Sequence, residues 1–159
     1  MRILVIEDNT KHLADAKTFF AKEHKHPEVE VLYAQTLVEA SETVDCLGGR
    51  DPGKEKVDGI ISDVFFPLSA WRPQVEPVGV GVLLLCREYG VPCVLNTAGH
   101  HHGARYEWIN QVVVWGLRQR ILIDALDGSD SDSDREAETK NWKQAFSVLM
   151  KLIEESREV

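Results

Sequence analysis

Three short apolar runs in this chain each end on residues that bind metal ions or phosphate groups. The residues at their ends are Glu7 with Asp8, then Asp63, and then Thr97. Paired carboxylates offer the hard oxygen ligands that a divalent cation such as Mg²⁺ prefers. A lone aspartate can attack a phosphoryl group, and a threonine hydroxyl can donate a hydrogen bond to a phosphate oxygen. These residue types together predict a site for phosphoryl transfer.

The three runs have the length and the β-branched composition of buried parallel strands. We expect strands over residues 2–7, 57–63 and 92–96. Ligands of open α/β sheets bind just outside the carboxyl ends of the strands. The three strands should therefore bring their terminal polar residues to one edge of one sheet.

Strand and helix patterns alternate along the chain, which predicts an α/β fold with a doubly wound, five-stranded parallel sheet. A first helix should begin after a cap at Asn9 or Thr10 and reach about residue 24, and residues 28–34 read as an edge strand. A second helix should begin after Thr36 and end near Gly48.

The C-terminal third allows two interpretations. In one, residues 111–115 form the fifth strand; in the other, which we favour, residues 104–118 form a fourth helix and residues 120–126 form the fifth strand. An acidic loop over residues 127–134 should follow, and a closing helix over about 135–156 should complete the fold. We read the acidic loop as a linker rather than a calcium loop, because it lacks the glycine and glutamate spacing of that motif.

Composition places the chain among soluble globular domains. Its 159 residues fit one domain, 1–159, with 43% hydrophobic and 28% charged residues. No apolar stretch has the length of a membrane span, and the formal charge of −8 argues against binding to nucleic acid. The odd number of cysteines, 3, predicts reduced core thiols and a cytoplasmic location.

Three segments carry a family resemblance: Ile3–Asn9, Ile60–Pro67 and Val94–Ala98. They resemble the signature segments of the receiver domain of two-component response regulators, and Pro67 follows Asp63 at the family's Asp-x-x-x-Pro spacing. The resemblance extends from Met1 to about Ala98 and is poor beyond it. It implies a flavodoxin-like receiver topology with the strand order 2-1-3-4-5.

The resemblance also implies a role for each candidate residue. Asp63 would be the phosphoacceptor, and Thr97 would bind a phosphate oxygen. A weakly held Mg²⁺ would be bound by Glu7, Asp8, Asp63 and the backbone carbonyl of Phe65. The alternative is that the acidic pair only solvates a strand end and that Thr97 caps a helix.

Two features depart from the family pattern. Neither interpretation of the C-terminal third places a Lys-Pro at the end of strand five, although Arg118 could substitute in the first one. An insertion over about residues 67–79 follows Asp63, and its prolines exclude a long helix. It would be either an ordered lid with Trp71 as its apolar anchor or a mobile surface loop.

His100–His102 would lie on the loop after Thr97, where we favour a solvated loop over a transition-metal site. The leading hypothesis is a stand-alone receiver, not an enzyme, which accepts a phosphoryl group from a sensor kinase or phosphotransfer protein and then binds a downstream protein target. The alternatives are a receiver-like interaction module that is never phosphorylated and, with less support, a small metal-dependent hydrolase.

Overall fold

A computed structural model describes residues 1–22, 29–47, 53–98, 107–116, 121–124 and 139–158. The strands are β1 (Arg2–Ile6), β2 (Glu30–Ala34), β3 (Gly59–Ser62), β4 (Phe66–Ser69), β5 (Arg72–Glu76), β6 (Cys93–Thr97) and β7 (Leu122–Asp124). The helices are α1 (Thr10–Lys22), α2 (Leu37–Thr43), α3 (Val78–Tyr89), α4 (Glu107–Asn110), which continues as a π-helical segment (Gln111–Gly116), and α5 (Trp142–Arg157).

Five of these strands form one parallel sheet in the order β2-β1-β3-β6-β7. When the two strands β4 and β5 are left out of the numbering, this is the order 2-1-3-4-5. The sheet is compatible with the flavodoxin-like receiver fold that the family resemblance implies. Its registers place Ile6 beside Ser62, so the residues that follow β1 and β3 are neighbours.

Alternate residues of the central strands belong to two separate core clusters, as the two-residue period of a strand requires. Leu4 and Ile6 of β1 lie in a cluster with residues of α2 and α3. Ile3 and Val5 lie in the other cluster, with residues of α1 and α5. Burying both faces explains why these strands read as continuous apolar runs.

The interpretation of residues 111–115 as the fifth strand is wrong. These residues belong to the π-helical segment, and the strand beside β6 is β7. Ile109 and Val113 are both fully buried, at a spacing of one helical turn. The valine-rich sequence of residues 111–115 favours a strand locally, but the burial of one face of a helical segment against the core overrides that propensity.

The insertion after Asp63 contains an antiparallel hairpin made of β4 and β5. Trp71 lies at its turn and is 92% exposed, so the prediction that Trp71 anchors the insertion is wrong. Phe66 is the buried aromatic residue of the hairpin. Phe66 follows β3 closely in sequence and reaches the core, whereas Trp71 lies at the far end of the hairpin, away from the core.

Two predicted helix caps are confirmed. The side chain of Asn9 accepts hydrogen bonds from the backbone N–H groups of Lys11 and His12, at 3.0 and 3.3 Å. The hydroxyl of Thr36 accepts from the N–H of Glu39 at 3.1 Å. These side chains satisfy N–H groups that a helix leaves unbonded at its start.

Two other helix boundaries differ from the prediction. Helix α2 ends at Thr43, because Val44 adopts extended backbone and forms an isolated bridge with Glu55. Helix α5 begins at Trp142 rather than near residue 135, and the side chain of Asn141 caps it. The acidic loop 127–134 and His100–His102 lie outside the described residues.

Among the helices of the described ranges, none combines the length and the apolar composition that crossing a membrane requires.

Candidate phosphoryl and metal site

The acidic residues after β1 and β3 form one cluster. Carboxylate oxygens of Glu7, Asp8 and Asp63 all lie within 4.8 Å of one another. The sheet produces this proximity directly, since the N–H of Asp63 donates to the carbonyl of Ile6 at 2.8 Å. This acidic cluster could hold a metal ion.

A lysine that the sequence analysis missed reaches the same cluster. The Nζ atom of Lys140 lies 2.5 Å from Oε2 of Glu7 and 2.9 Å from Oδ1 of Asp63. Its side chain is 1% exposed, so the ammonium group is almost fully removed from water. The site therefore contains a buried cation, although no Lys-Pro follows the fifth strand.

Lys140 comes from the start of the closing helix rather than from the end of the fifth strand. It precedes α5 by two residues, and its carbonyl accepts a hydrogen bond from the N–H of Trp142 at 3.0 Å. In the sequence Lys140 is only a lysine beside the first turn of the last helix, and nothing local connects it to Glu7 or Asp63. The family pattern has its lysine at a different position, after the fifth strand.

Burial and mutual repulsion oppose the ionisation of the cluster. The pKa of Glu7 is raised to about 7: burial and the charge of Asp63 raise it, and the attraction of Lys140 offsets part of that rise. The pKa of Asp8 is also raised, first by burial and then by Asp63. Crowded carboxylates of this kind favour a bound cation, because a positive charge offsets both costs.

The cluster opens into a pocket of about 180 Å³. Its lining comprises Asp8, Asn9, His12, Asp63, Phe65, Val75, Thr97, Ala98 and Lys140. Thr97 is thus brought to the same pocket as Asp63, at the end of β6. The small side chain of Ala98 adds little bulk to the wall.

Two further pocket residues come from α1 and from the insertion, which the sequence predicted as a possible lid beside the site. His12 belongs to α1 and is buried, and Val75 belongs to the hairpin and is half exposed. The hairpin therefore contributes an apolar wall to the pocket. The lid interpretation placed the insertion beside the site but named Trp71 as its apolar residue; the hairpin brings Val75 to the pocket instead.

The loop that carries Asp63 is held closely by the start of α3. The N–H of Gly79 donates to the carbonyl of Val64 at 3.0 Å. A Cβ atom at Gly79 would lie 2.0 Å from the carbonyl oxygen of Asp63, so only glycine fits there. The N–H of Val64 also donates to Oδ1 of Asp63 at 2.6 Å, which fixes the carboxylate.

The donor set fits Mg²⁺. The three carboxylates that follow β1 and β3 supply hard oxygen ligands, and the pocket beside them leaves room for the waters that Mg²⁺ retains. Phe65 lines this pocket, so its backbone carbonyl remains the predicted fourth ligand.

No family model matches the chain, and no curated protein matches it. Two solved structures are similar. One is a protein fused to a trimeric coiled-coil segment of yeast Spc42, with 16% identity and a TM-score of 0.56 over 99% of this chain and 82% of that chain. The other is the bacteriophytochrome response regulator AtBRR, with 17% identity and a TM-score of 0.55 over 94% of this chain and 91% of that chain. The protein therefore has a receiver-like α/β fold, similar to that of a bacteriophytochrome response regulator.

Proposed function

We propose that this protein is a receiver-like signalling domain that accepts a phosphoryl group on Asp63 in the presence of Mg²⁺. We further assign it the doubly wound, flavodoxin-like receiver topology, which the strand order and the two core clusters support. One observation carries the functional proposal. The buried ammonium of Lys140 contacts Asp63 at 2.9 Å in a pocket that also contains Asp8 and Thr97.

The proposed reaction is a direct displacement at phosphorus. A carboxylate oxygen of Asp63 forms a bond to phosphorus, the bond from phosphorus to the donor breaks, and the leaving group keeps the electron pair. The donor would be an acyl phosphate or a phosphorylated imidazole. A bound Mg²⁺ would supply charge neutralisation between the carboxylate and the phosphoryl oxygens.

Lys140 and Thr97 would hold the transferred group. An ammonium group beside Asp63 can pair with a phosphoryl oxygen, and charge-assisted contacts of this kind are about twice as strong as neutral ones. The hydroxyl of Thr97 can donate to a second oxygen. In the receiver family that the sequence resembles, a lysine after the fifth strand pairs with the phosphoryl group. Lys140 would do the same here from a different place in the chain.

The remaining parts of the proposal concern partners and location. A sensor kinase or a phosphotransfer protein would supply the phosphoryl group, and a downstream protein would recognise the phosphorylated state. The domain would act as a phosphoacceptor in the cytoplasm, not as an enzyme on a separate substrate. The net charge of −8 supports a protein target over nucleic acid.

The test is incubation with Mg²⁺ and acetyl phosphate, followed by intact mass measurement. We expect a gain of one phosphoryl group that requires Mg²⁺ and disappears in Asp63→Asn. Asp58→Asn is the matched control, because Asp58 immediately precedes β3 whereas Asp63 immediately follows it. That variant should be labelled like the unmodified protein.

Two results would overturn the proposal. Labelling that persists in Asp63→Asn would place the phosphoacceptor elsewhere. No labelling of the folded, Mg²⁺-bound protein by acetyl phosphate or by any phosphohistidine donor tried would favour an interaction module that is never phosphorylated.

A further inference from the structure

A second cavity lies at the opposite edge of the sheet from Asp63. It has a volume of about 330 Å³ and is lined by Leu83, Arg87, Gly90, Val91, Pro92, Cys93, Ile121, Leu152, Glu155 and Ser156. These residues come from the end of α3, the beginnings of β6 and β7, and the end of α5. The cavity is separate from the proposed phosphoryl site.

The three cysteines of the chain all belong to one core cluster. The thiol of Cys86, in α3, interacts with the thiols of both Cys46 and Cys93. All three thiols are free and buried. Cys93 is the cysteine that lines the cavity, and it is the first residue of β6.

We propose that Cys93 is an oxidation site for small peroxides that enter this cavity, and that Cys86 then closes a Cys86–Cys93 disulfide. The inference rests on the juxtaposition of a cavity, a thiol in its wall and a second thiol in contact with the first. It does not depend on the proposed phosphorylation of Asp63.

The chemistry has two steps. The sulfur of Cys93, as thiolate, attacks one oxygen of hydrogen peroxide; the O–O bond breaks, and the leaving hydroxide takes up the thiol proton to become water. This oxidises Cys93 to a sulfenic acid. The sulfur of Cys86 then attacks the sulfur of Cys93, the S–O bond breaks, and the hydroxyl group leaves as a second water with the proton of Cys86. The peroxide is the two-electron oxidant.

The surroundings distinguish the two roles. Cys93 lines the cavity and Cys86 is not among its lining residues, so a peroxide that enters the cavity meets Cys93 first. The hydrogen bond with Cys46 lowers the pKa of Cys86, but its hydrogen bond with Cys93 and its burial raise that pKa overall. The raised pKa disfavours direct attack of Cys86 on peroxide. Its contact with Cys93 suits Cys86 to the second step, in which it meets an already oxidised neighbour.

The experiment treats the folded, full-length protein with hydrogen peroxide, alkylates the remaining thiols after denaturation, and maps the peptides by mass. We expect a Cys86–Cys93 crosslink that dithiothreitol reverses, with Cys46 alkylated. Cys46→Ala should still form the crosslink. Cys86→Ala should stop at a sulfenic acid on Cys93 that dimedone traps, and Cys93→Ala should give neither product.

A second pair of variants tests the role of the cavity without touching a cysteine. Ser156→Phe places a bulky side chain in the cavity wall, whereas Ser147→Phe makes the same change at an exposed position of the same helix. Oxidation should slow about tenfold in the first variant only, because thiol oxidation follows access to the sulfur.

Three results would overturn the proposal. They are equal oxidation rates in the two phenylalanine variants, modification of Cys46 before Cys93, and crosslinking that occurs only under denaturing conditions.

Discussion

Replacing Lys140 by methionine tests whether one buried ammonium holds the candidate site together. Methionine keeps most of the side-chain volume and removes the charge. The ammonium contacts Glu7 at 2.5 Å and Asp63 at 2.9 Å. A hydrogen bond to a charged group contributes roughly 1.5–3 kcal/mol, and removing one partner of a buried ion pair costs about 3–5 kcal/mol.

We expect a loss near the lower end of that range, about 3 kcal/mol of unfolding free energy at pH 7. Glu7 limits the loss because it can take up a proton: burial already raises its pKa to about 7. The loss should therefore be smaller at pH 5, where Glu7 is mostly neutral, and larger at pH 8, where the variant must either protonate Glu7 or leave it charged and unpaired.

Urea unfolding at the three pH values measures this loss. Lys143→Met is the matched control, since Lys143 lies three residues after Lys140, in the first turn of α5, and is exposed. Labelling of Asp63 by acetyl phosphate should also fall about 10- to 100-fold in Lys140→Met, the equivalent of 1.5–3 kcal/mol. The reasoning is refuted if Lys140→Met is as stable and as readily labelled as the control.

Other perturbations give further predictions. Chiefly through burial, the pKa of Glu7 rises from 4.5 to about 7 in the folded protein. Protonated Glu7 therefore stabilises the folded state fully below pH 4.5, and this stabilisation is lost as the pH rises through 7. In urea unfolding, Glu7→Gln should remove about 3 kcal/mol of this pH dependence. Mg²⁺ should raise the Tm more at pH 8 than at pH 5, because metal and proton compete for Glu7, and Asp63→Asn should reduce this gain. Gly79→Ala should destabilise the protein by roughly 1–3 kcal/mol and slow labelling, because its Cβ would overlap the Asp63 carbonyl. In Gly81→Ala the added Cβ meets no atom within 4 Å, so this variant should instead stabilise the protein by about 0.5–1 kcal/mol. Similar changes in stability in both alanine variants would contradict this account. Trp71→Ser should change the unfolding free energy by less than about 0.5 kcal/mol, because the side chain is 92% exposed.

The sequence was sufficient to predict the central strands and the residues at their ends. Each strand is a short β-branched run that becomes buried on both faces, and this pattern is local. Parallel strands then bring Glu7 and Asp63 to the same edge, because their carboxyl ends point the same way. The caps at Asn9 and Thr36 were equally predictable, since a capping side chain bonds N–H groups two or three residues away.

Only the tertiary structure decided which cation completes the site. Lys140 is separated from Glu7 by 133 residues, and no local pattern links them. The contact exists because α5 packs against β3 and β6 and carries its first turn to the acidic edge of the sheet. Two other features likewise arise from packing between separate segments. They are the hairpin, which exposes Trp71 and brings Val75 to the pocket, and the interactions of Cys86 with Cys46 and Cys93. Such contacts depend on where whole elements lie relative to one another, and the periodicity within each element carries no information about that.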